Sequence, residues 1–91
     1  MSPVRPSWFY VYVLRSEKDR RLYTGATSNL EKRLEQHDNG LVPSTKYRRP
    51  LTLVYYEASL DKIDSYKREK YLKTGMGKRY LNNRLREGLT G

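Results

Sequence analysis

The fold is decided by residues 9–25, which read FYVYVLRSEKDRRLYTG. The first six residues are all aromatic or aliphatic and a polar segment follows them, a pattern that predicts a buried strand and then a bend. Residues 21–24 predict a second strand, which we expect Gly25 to close. The two strands should pair as an antiparallel hairpin. Because side chains alternate along a strand, Tyr10 and Tyr12 should share one face.

A helix is predicted to follow the hairpin, over residues 30–39. Residues 28–31, Ser-Asn-Leu-Glu, match a capping box, and Gly40 can supply the left-handed residue that ends the helix. Helical periodicity places four residues on the stripe that faces the sheet: Leu30, Arg33, Leu34 and His37. A charged side chain on such a stripe requires a polar partner there.

The rest of the chain predicts one more strand and two more helices. Residues 41–50 form a basic loop, and residues 51–57 are rich in strand-forming side chains. Ser59 or Asp61 is expected to cap a second helix that Gly75 ends, and a short third helix should follow Gly77 as far as Leu85. The predicted order is ββαβαα. This is an α/β (α+β) domain in which helices flank a small, three-stranded antiparallel sheet.

Length and charge restrict the class of protein. The chain has 91 residues and a net charge of +9, which fits one small, basic domain with a thin core. We expect that domain to span residues 8–86, with flexible termini at 1–7 and 87–91. Residues 62–91 carry nine basic and three acidic residues. This excess of positive charge indicates a nucleic-acid partner.

Several kinds of site and location are excluded or disfavoured by composition. The sequence has no cysteine and one histidine, which excludes a disulfide partner, a thiolate zinc site and a histidine-rich metal site. No segment has the roughly 18 apolar residues that a membrane span requires, and residues 1–7 lack the apolar core of a signal peptide. We therefore expect a cytoplasmic protein without a membrane partner, with a monomer as the default state.

Four segments, in order, resemble the GIY-YIG nuclease family. Residues 10–12 (Tyr-Val-Tyr) and 23–25 (Tyr-Thr-Gly) stand where the two name-giving motifs would be. Residues 30–34 with His37 resemble the family's first-helix segment, and residues 68–70 resemble the segment that carries its metal-binding glutamate. The similarity extends from Tyr10 to about Leu85, and it is closest to the small, stand-alone bacterial members.

The resemblance implies hydrolysis of a phosphodiester with one divalent cation, Mg²⁺ or Mn²⁺, and a tyrosine that helps to activate water. The residues that it implicates in catalysis are Tyr12, Tyr23, Arg33, His37 and Glu69, with Glu69 as the metal ligand. Arg33 suits a planar donor to phosphate, and Glu69 suits a hard oxygen ligand for Mg²⁺. Tyrosine has an ordinary pKa of about 10, so a neighbouring cation is needed to favour its charged form. The sequence does not show which of the two tyrosines helps to activate water.

Other residues have more limited expected roles. Gly25 should serve a turn or a close backbone approach. Ala26 stands where excision-repair relatives have a lysine, and Lys46 is a candidate substitute. Asn82 is a candidate for the family's late asparagine. Without the resemblance, Glu69 would be interpreted as a member of a solvated ion pair.

We predict a DNA endonuclease or nickase of low sequence selectivity that acts on duplex or branched DNA in repair or processing, with RNA as a further possible substrate. The residues expected to contact the nucleic-acid backbone are Lys46, Arg48, Arg49, Lys78, Arg79 and Arg84. Such contacts give affinity with little sequence information. Two alternatives stay open, a non-catalytic module that binds nucleic acid through its basic face and tyrosines, and an interaction adaptor with an aromatic sheet.

Overall fold

The computed structural model describes residues 7–86, so the predicted flexible termini lie outside the described residues apart from Ser7. The elements are β1 (Phe9–Ser16), β2 (Leu22–Thr27), α1 (Leu30–Asp38), β3 (Leu51–Ser59), α2 (Lys62–Leu72) and α3 (Gly75–Arg84), with a short 3-10 turn at Lys46–Arg48. The predicted ββαβαα order and α+β class are confirmed. Within the described part of the chain, no helix is long and apolar enough to cross a membrane.

The three strands form one antiparallel sheet in the order β2-β1-β3. The central strand β1 pairs with both neighbours, and Tyr12 lies opposite Gly25 on one side and Tyr56 on the other. Residues 11–14 of β1 are buried, as their apolar run predicts. The centre of the sheet therefore holds Tyr12 in a fixed position.

Helices cover both faces of the sheet. Successive side chains of β1 point to opposite faces, so alternate residues meet different helices. On one face, Val11 and Val13 pack with Leu72 of α2 and Leu81 of α3 to form the apolar core. On the other face, Tyr12 reaches His37 of α1. One side of the sheet thus carries the core, while the other carries a polar cluster beneath α1.

The helix termini differ from the prediction in two places. The predicted capping box is wrong, since α1 begins after Asn29, whose side chain accepts from the amide of Lys32. The assignment of Gly75 as the end of α2 is also wrong. Helix α2 ends at Leu72, and α3 starts at Gly75 because the Thr74 hydroxyl caps it. Gly40 ends α1 as predicted, with a φ of 72°.

Candidate active site

Tyr12 is at the centre of a buried hydrogen-bonded cluster. Its hydroxyl lies 2.8 Å from Nε2 of His37 and 3.4 Å from Nε of Arg33. A guanidinium has only donors, so Arg33 donates to the phenolic oxygen. Tyr12 is 0 % exposed, so its own proton has His37 Nε2 as its acceptor. The elements β1 and α1 are therefore joined by a directed chain of hydrogen bonds.

The chain continues from His37 to Thr45, in the loop after α1. The Oγ1 atom of Thr45 lies 2.7 Å from Nδ1 of His37, and both residues are buried. Because Nε2 accepts a hydrogen bond from Tyr12, the neutral ring carries its proton on Nδ1. The Nδ1–H group then donates a hydrogen bond to Thr45. Both nitrogens of the imidazole thus bind protein hydroxyls.

Burial keeps Tyr12 and His37 uncharged. It raises the pKa of Tyr12, an effect that the hydrogen bond from Arg33 partly opposes and that the negative charge of Glu69 reinforces. Burial also lowers the pKa of His37, and the positive charge of Arg33 acts in the same direction. At neutral pH we therefore describe Tyr12 as a phenol and His37 as a neutral imidazole.

Gly25 permits the position of the Tyr12 ring. It lies within β2, directly opposite Tyr12, so the expectation that it closes the strand is wrong. A Cβ atom at this position would lie 2.5 Å from the Tyr12 hydroxyl oxygen. Of the two roles expected for this glycine, the structure thus gives it the close approach and not the turn.

Tyr23 forms the outer edge of the cluster. Its ring centroid lies 5.2 Å from that of His37 and 6.4 Å from that of Tyr12. Unlike Tyr12, it is only half-buried. It lines an open hollow of about 250 Å³ together with Lys73 and Lys78. A phosphate oxygen or a water molecule in that hollow would meet the Tyr23 side chain and positive charge.

Arg33 connects the buried cluster to the surface. Its Nη1 donates to Gln36 at 3.0 Å, while its Nε points at Tyr12. On its outer side, Arg33 lines a polar depression of about 560 Å³ with Lys32 and Asn29. The guanidinium is therefore held in one orientation at the wall of a depression that suits a phosphate backbone.

Glu69 lies on α2, the helix that packs against Val11 and Val13 through Leu72. The neighbouring Arg68 anchors α2 through a 2.7 Å hydrogen bond to Glu57 of β3. The Glu69 side chain is 21 % exposed, and its ion pair with Lys73 is long at 3.7 Å. Its negative charge contributes to the raised pKa of Tyr12, although less than burial does.

The residues present suit a divalent cation that takes few of its ligands from the protein. Among residues 7–86, no three or more histidine, aspartate or glutamate side chains form a group that could hold a metal ion. The described residues therefore do not form an all-protein cage. Mg²⁺ commonly uses one or two carboxylates, with water and substrate phosphate completing its ligands. Glu69, with its carboxylate only loosely paired, is suited to hold such an ion.

Comparison with known proteins gives the family of this chain. A family model described as the GIY-YIG catalytic domain matches residues 8–87. The chain belongs to the GIY-YIG family. Membership places this GIY-YIG domain in a nuclease superfamily and implies a nucleic-acid substrate.

Relatives of this GIY-YIG domain are small bacterial proteins. A UPF0213 protein of Clostridium perfringens is 48% identical over 65 residues, which are 70% of this chain and 69% of that protein. UPF0213 proteins of Staphylococcus saprophyticus (44% identical; 71% of this chain, 79% of the relative) and Bacillus licheniformis (39% identical; 88% and 86%) are also similar. These names state no activity, so they support the family and leave the reaction to the chemistry of the site.

The GIY-YIG domain brings four of the five residues predicted to be catalytic into one cluster of ring and hydrogen-bond contacts, and the fifth, Glu69, acts on it through its charge. Sequence reasoning missed three neighbours of this cluster: Gln36, Thr45 and Lys73. Each is a common polar residue without a distinguishing spacing. Only the burial of Thr45 beside the sole histidine distinguishes it, and burial is a property of the fold.

The six cations predicted to contact nucleic acid separate into two groups. Arg48 donates to Asp19 at 3.1 Å, and Arg49 donates to backbone oxygens of Lys46 and Asp38, so both help to hold the basic loop. The other group is exposed and consists of Lys46, Lys78, Arg79 and Arg84, together with the candidate Asn82. Lys78 is the member of this group beside Tyr23.

Proposed function

We propose that this GIY-YIG domain is a metal-dependent endonuclease or nickase that hydrolyses phosphodiester bonds in DNA with low sequence selectivity, in repair or processing. The observation that carries the proposal is the hydrogen-bonded cluster of Tyr12, Arg33 and His37, with the ring of Tyr23 packed at its edge. Membership in a nuclease superfamily supports the same conclusion.

The reaction requires stabilisation of negative charge. Water attacks phosphorus, the bond from phosphorus to the leaving oxygen breaks, and the water proton passes to a base while solvent protonates the leaving oxygen. A divalent cation bound at Glu69 would neutralise charge on the phosphate and favour ionisation of the attacking water. Arg33 would donate from its outer nitrogens to a nonbridging oxygen, because its Nε is already directed at Tyr12.

Exposure distinguishes the roles that we propose for the two tyrosines. Tyr23 is half-buried and lines the hollow with Lys73 and Lys78, so we assign it the contact with the attacking water. Tyr12 is 0 % exposed and its pKa is raised, chiefly by burial. We assign Tyr12 the positioning of Arg33.

The buried imidazole has a supporting role in this proposal. His37 is 1 % exposed and both of its nitrogens are occupied, which argues for positioning and against direct contact with phosphate. In its neutral form it accepts a hydrogen bond from the Tyr12 hydroxyl and so directs the phenolic oxygen towards Arg33.

The alternative, a non-catalytic module that binds nucleic acid, has an observation in its favour. The described residues include no group of three or more potential ligands that could hold a metal ion, while exposed lysines and tyrosines offer phosphate and base contacts. Such a module would bind DNA and leave it intact.

A plasmid assay separates the two functions. Purified protein would be incubated with supercoiled plasmid in Mg²⁺, in Mn²⁺ and in excess EDTA. We expect conversion to the open circle with either metal and none in EDTA. Arg33→Ala should abolish it, whereas Arg79→Ala, an exposed cation on α3, should retain it at saturating protein. Binding of the plasmid without nicking in either metal would favour the non-catalytic module.

A further inference from the structure

Tyr47 is the most exposed aromatic side chain among the described residues. It lies in the 3-10 turn Lys46–Arg48 and is 76 % exposed. The ammonium of Lys46 lies 5.4 Å from the centre of its ring. An exposed ring beside a cation offers a nucleotide both a stacking face and a phosphate contact.

The backbone that carries Tyr47 is held in place by the hairpin between β1 and β2. Lys18 donates to the carbonyl of Tyr47 at 3.2 Å, and the Ser16 hydroxyl donates to the carbonyl of Arg48 at 2.6 Å. The Arg48 guanidinium pairs with Asp19 at 3.1 Å. Because the turn is already fixed, a ligand that stacks on Tyr47 would not have to order the loop.

A basic groove adjoins the ring. It is open, has a volume of about 480 Å³, and is lined by Tyr47, Lys18, Lys46, Arg49 and the single carboxylate of Asp38. Three cations against one anion favour a phosphate-bearing ligand over a neutral one. The groove thus provides positive charge around an aromatic face.

The groove is physically connected to the candidate active site. Thr45, two residues before Tyr47, binds the ring of His37, and Asp38 follows His37 directly. Arg33, His37 and Asp38 follow one another along α1, so a strand that runs along this helix from a phosphate at Arg33 would pass towards Tyr47. A base in a duplex has both faces stacked already, so an exposed ring can take up only a base that is unpaired or flipped out.

We propose that Tyr47 stacks on an unpaired base next to the scissile phosphate, which makes single-stranded or branched DNA the substrate class. The identification of that phosphate as the one that is cleaved rests on the proposed function. The stacking site itself can be tested without catalysis.

The test is equilibrium binding of a fluorescent single strand and of the matching blunt duplex to the full chain in EDTA. Tyr47→Ala should weaken single-strand binding roughly tenfold to a hundredfold, the range expected for loss of a base stack, and leave duplex binding unchanged. Tyr47→Phe keeps the ring and should bind as wild type does. Tyr66→Ala is the matched control, since Tyr66 is 48 % exposed and lies under Lys62 at 5.7 Å.

A second readout reports stacking directly. 2-Aminopurine at an unpaired position of the single strand should be quenched by wild type and by Tyr47→Phe, and not by Tyr47→Ala. The proposal is overturned if wild type does not bind single strands, if Tyr47→Ala binds them normally, or if that variant loses single-strand and duplex binding equally. None of these results depends on cleavage, so an inactive protein in the plasmid assay would leave the stacking proposal standing.

Discussion

Tyr12 and Tyr23 lie close together but should respond differently to loss of the hydroxyl group. Tyr12→Phe leaves His37 Nε2 and Arg33 Nε without their shared partner inside the protein, so we expect a loss of about 1–3 kcal/mol in the free energy of unfolding. Tyr23→Phe removes a half-buried hydroxyl and should leave stability unchanged while abolishing nicking. Urea denaturation and the plasmid assay on both variants measure the two effects. Equal stability losses would contradict the distinction.

His37 should make stability depend on pH. Burial lowers its pKa in the folded chain below the ordinary value of 6.5, so the unfolded chain binds a proton first as the pH falls. The stability that this group contributes is fully present above about pH 6.5 and is lost between that value and the lower folded pKa. Denaturation of wild type and His37→Gln from about pH 8 to about pH 5 tests this. The difference between the two proteins should shrink towards the acid end, and a constant difference would refute the assignment.

At the scale of elements, the two glycines of α3 provide a matched pair. A Cβ atom on Gly77 would overlap the Tyr71 carbonyl oxygen, whereas one on Gly75 meets nothing within 4 Å. Gly77→Ala must therefore displace α3 from α2, with an expected cost of about 1–3 kcal/mol. Gly75→Ala should be neutral or stabilising by up to about 1 kcal/mol, because alanine favours the helix. Thermal unfolding of both variants measures this, and equal melting temperatures would show that the close packing is unimportant.

Gly25 and Gly75 show how far the sequence determines the elements. Apolar runs and periodicity predicted every strand and helix, because they reflect which side a segment buries. Gly25 and Gly75 were misplaced as strand and helix terminators. At Gly25 the cause is contact with a side chain distant in the sequence, Tyr12, and at Gly75 it is a new cap from Thr74. Contacts of the first kind are not encoded in local propensity.

The candidate active site, like the fold, could be predicted only in part from the sequence. The resemblance supplied Tyr12, Tyr23, Arg33, His37 and Glu69, and helical spacing independently placed Arg33 and His37 against the sheet. The burial that distinguishes Tyr12 from Tyr23, and the bond from His37 to Thr45, arise only when strands and helices pack. Sequence alone could therefore name Tyr12, Tyr23, Arg33 and His37, which the fold brings together, and could not give their different burial.

For the whole molecule, the net charge of +9 predicts binding that depends strongly on salt. If the four predicted cations that do not hold the basic loop (Lys46, Lys78, Arg79 and Arg84) each contact one phosphate, duplex affinity should fall roughly a hundredfold between about 50 and about 200 mM salt. Lys78→Ala should lower the slope of log affinity against log salt by about one. Arg48→Ala is the control, because Arg48 already pairs with Asp19. A slope near zero would contradict a phosphate-binding surface.

The central claim is that Glu69 supports metal-dependent cleavage, and single-turnover cleavage by Glu69→Gln over a Mg²⁺ titration tests it most directly. Glu35→Gln, an exposed glutamate on α1, is the matched control. Glu69→Gln should fold and bind DNA in EDTA as wild type does, yet cleave at least about a hundredfold more slowly at every Mg²⁺ concentration. Cleavage by Glu69→Gln at the rate of Glu35→Gln would contradict the account.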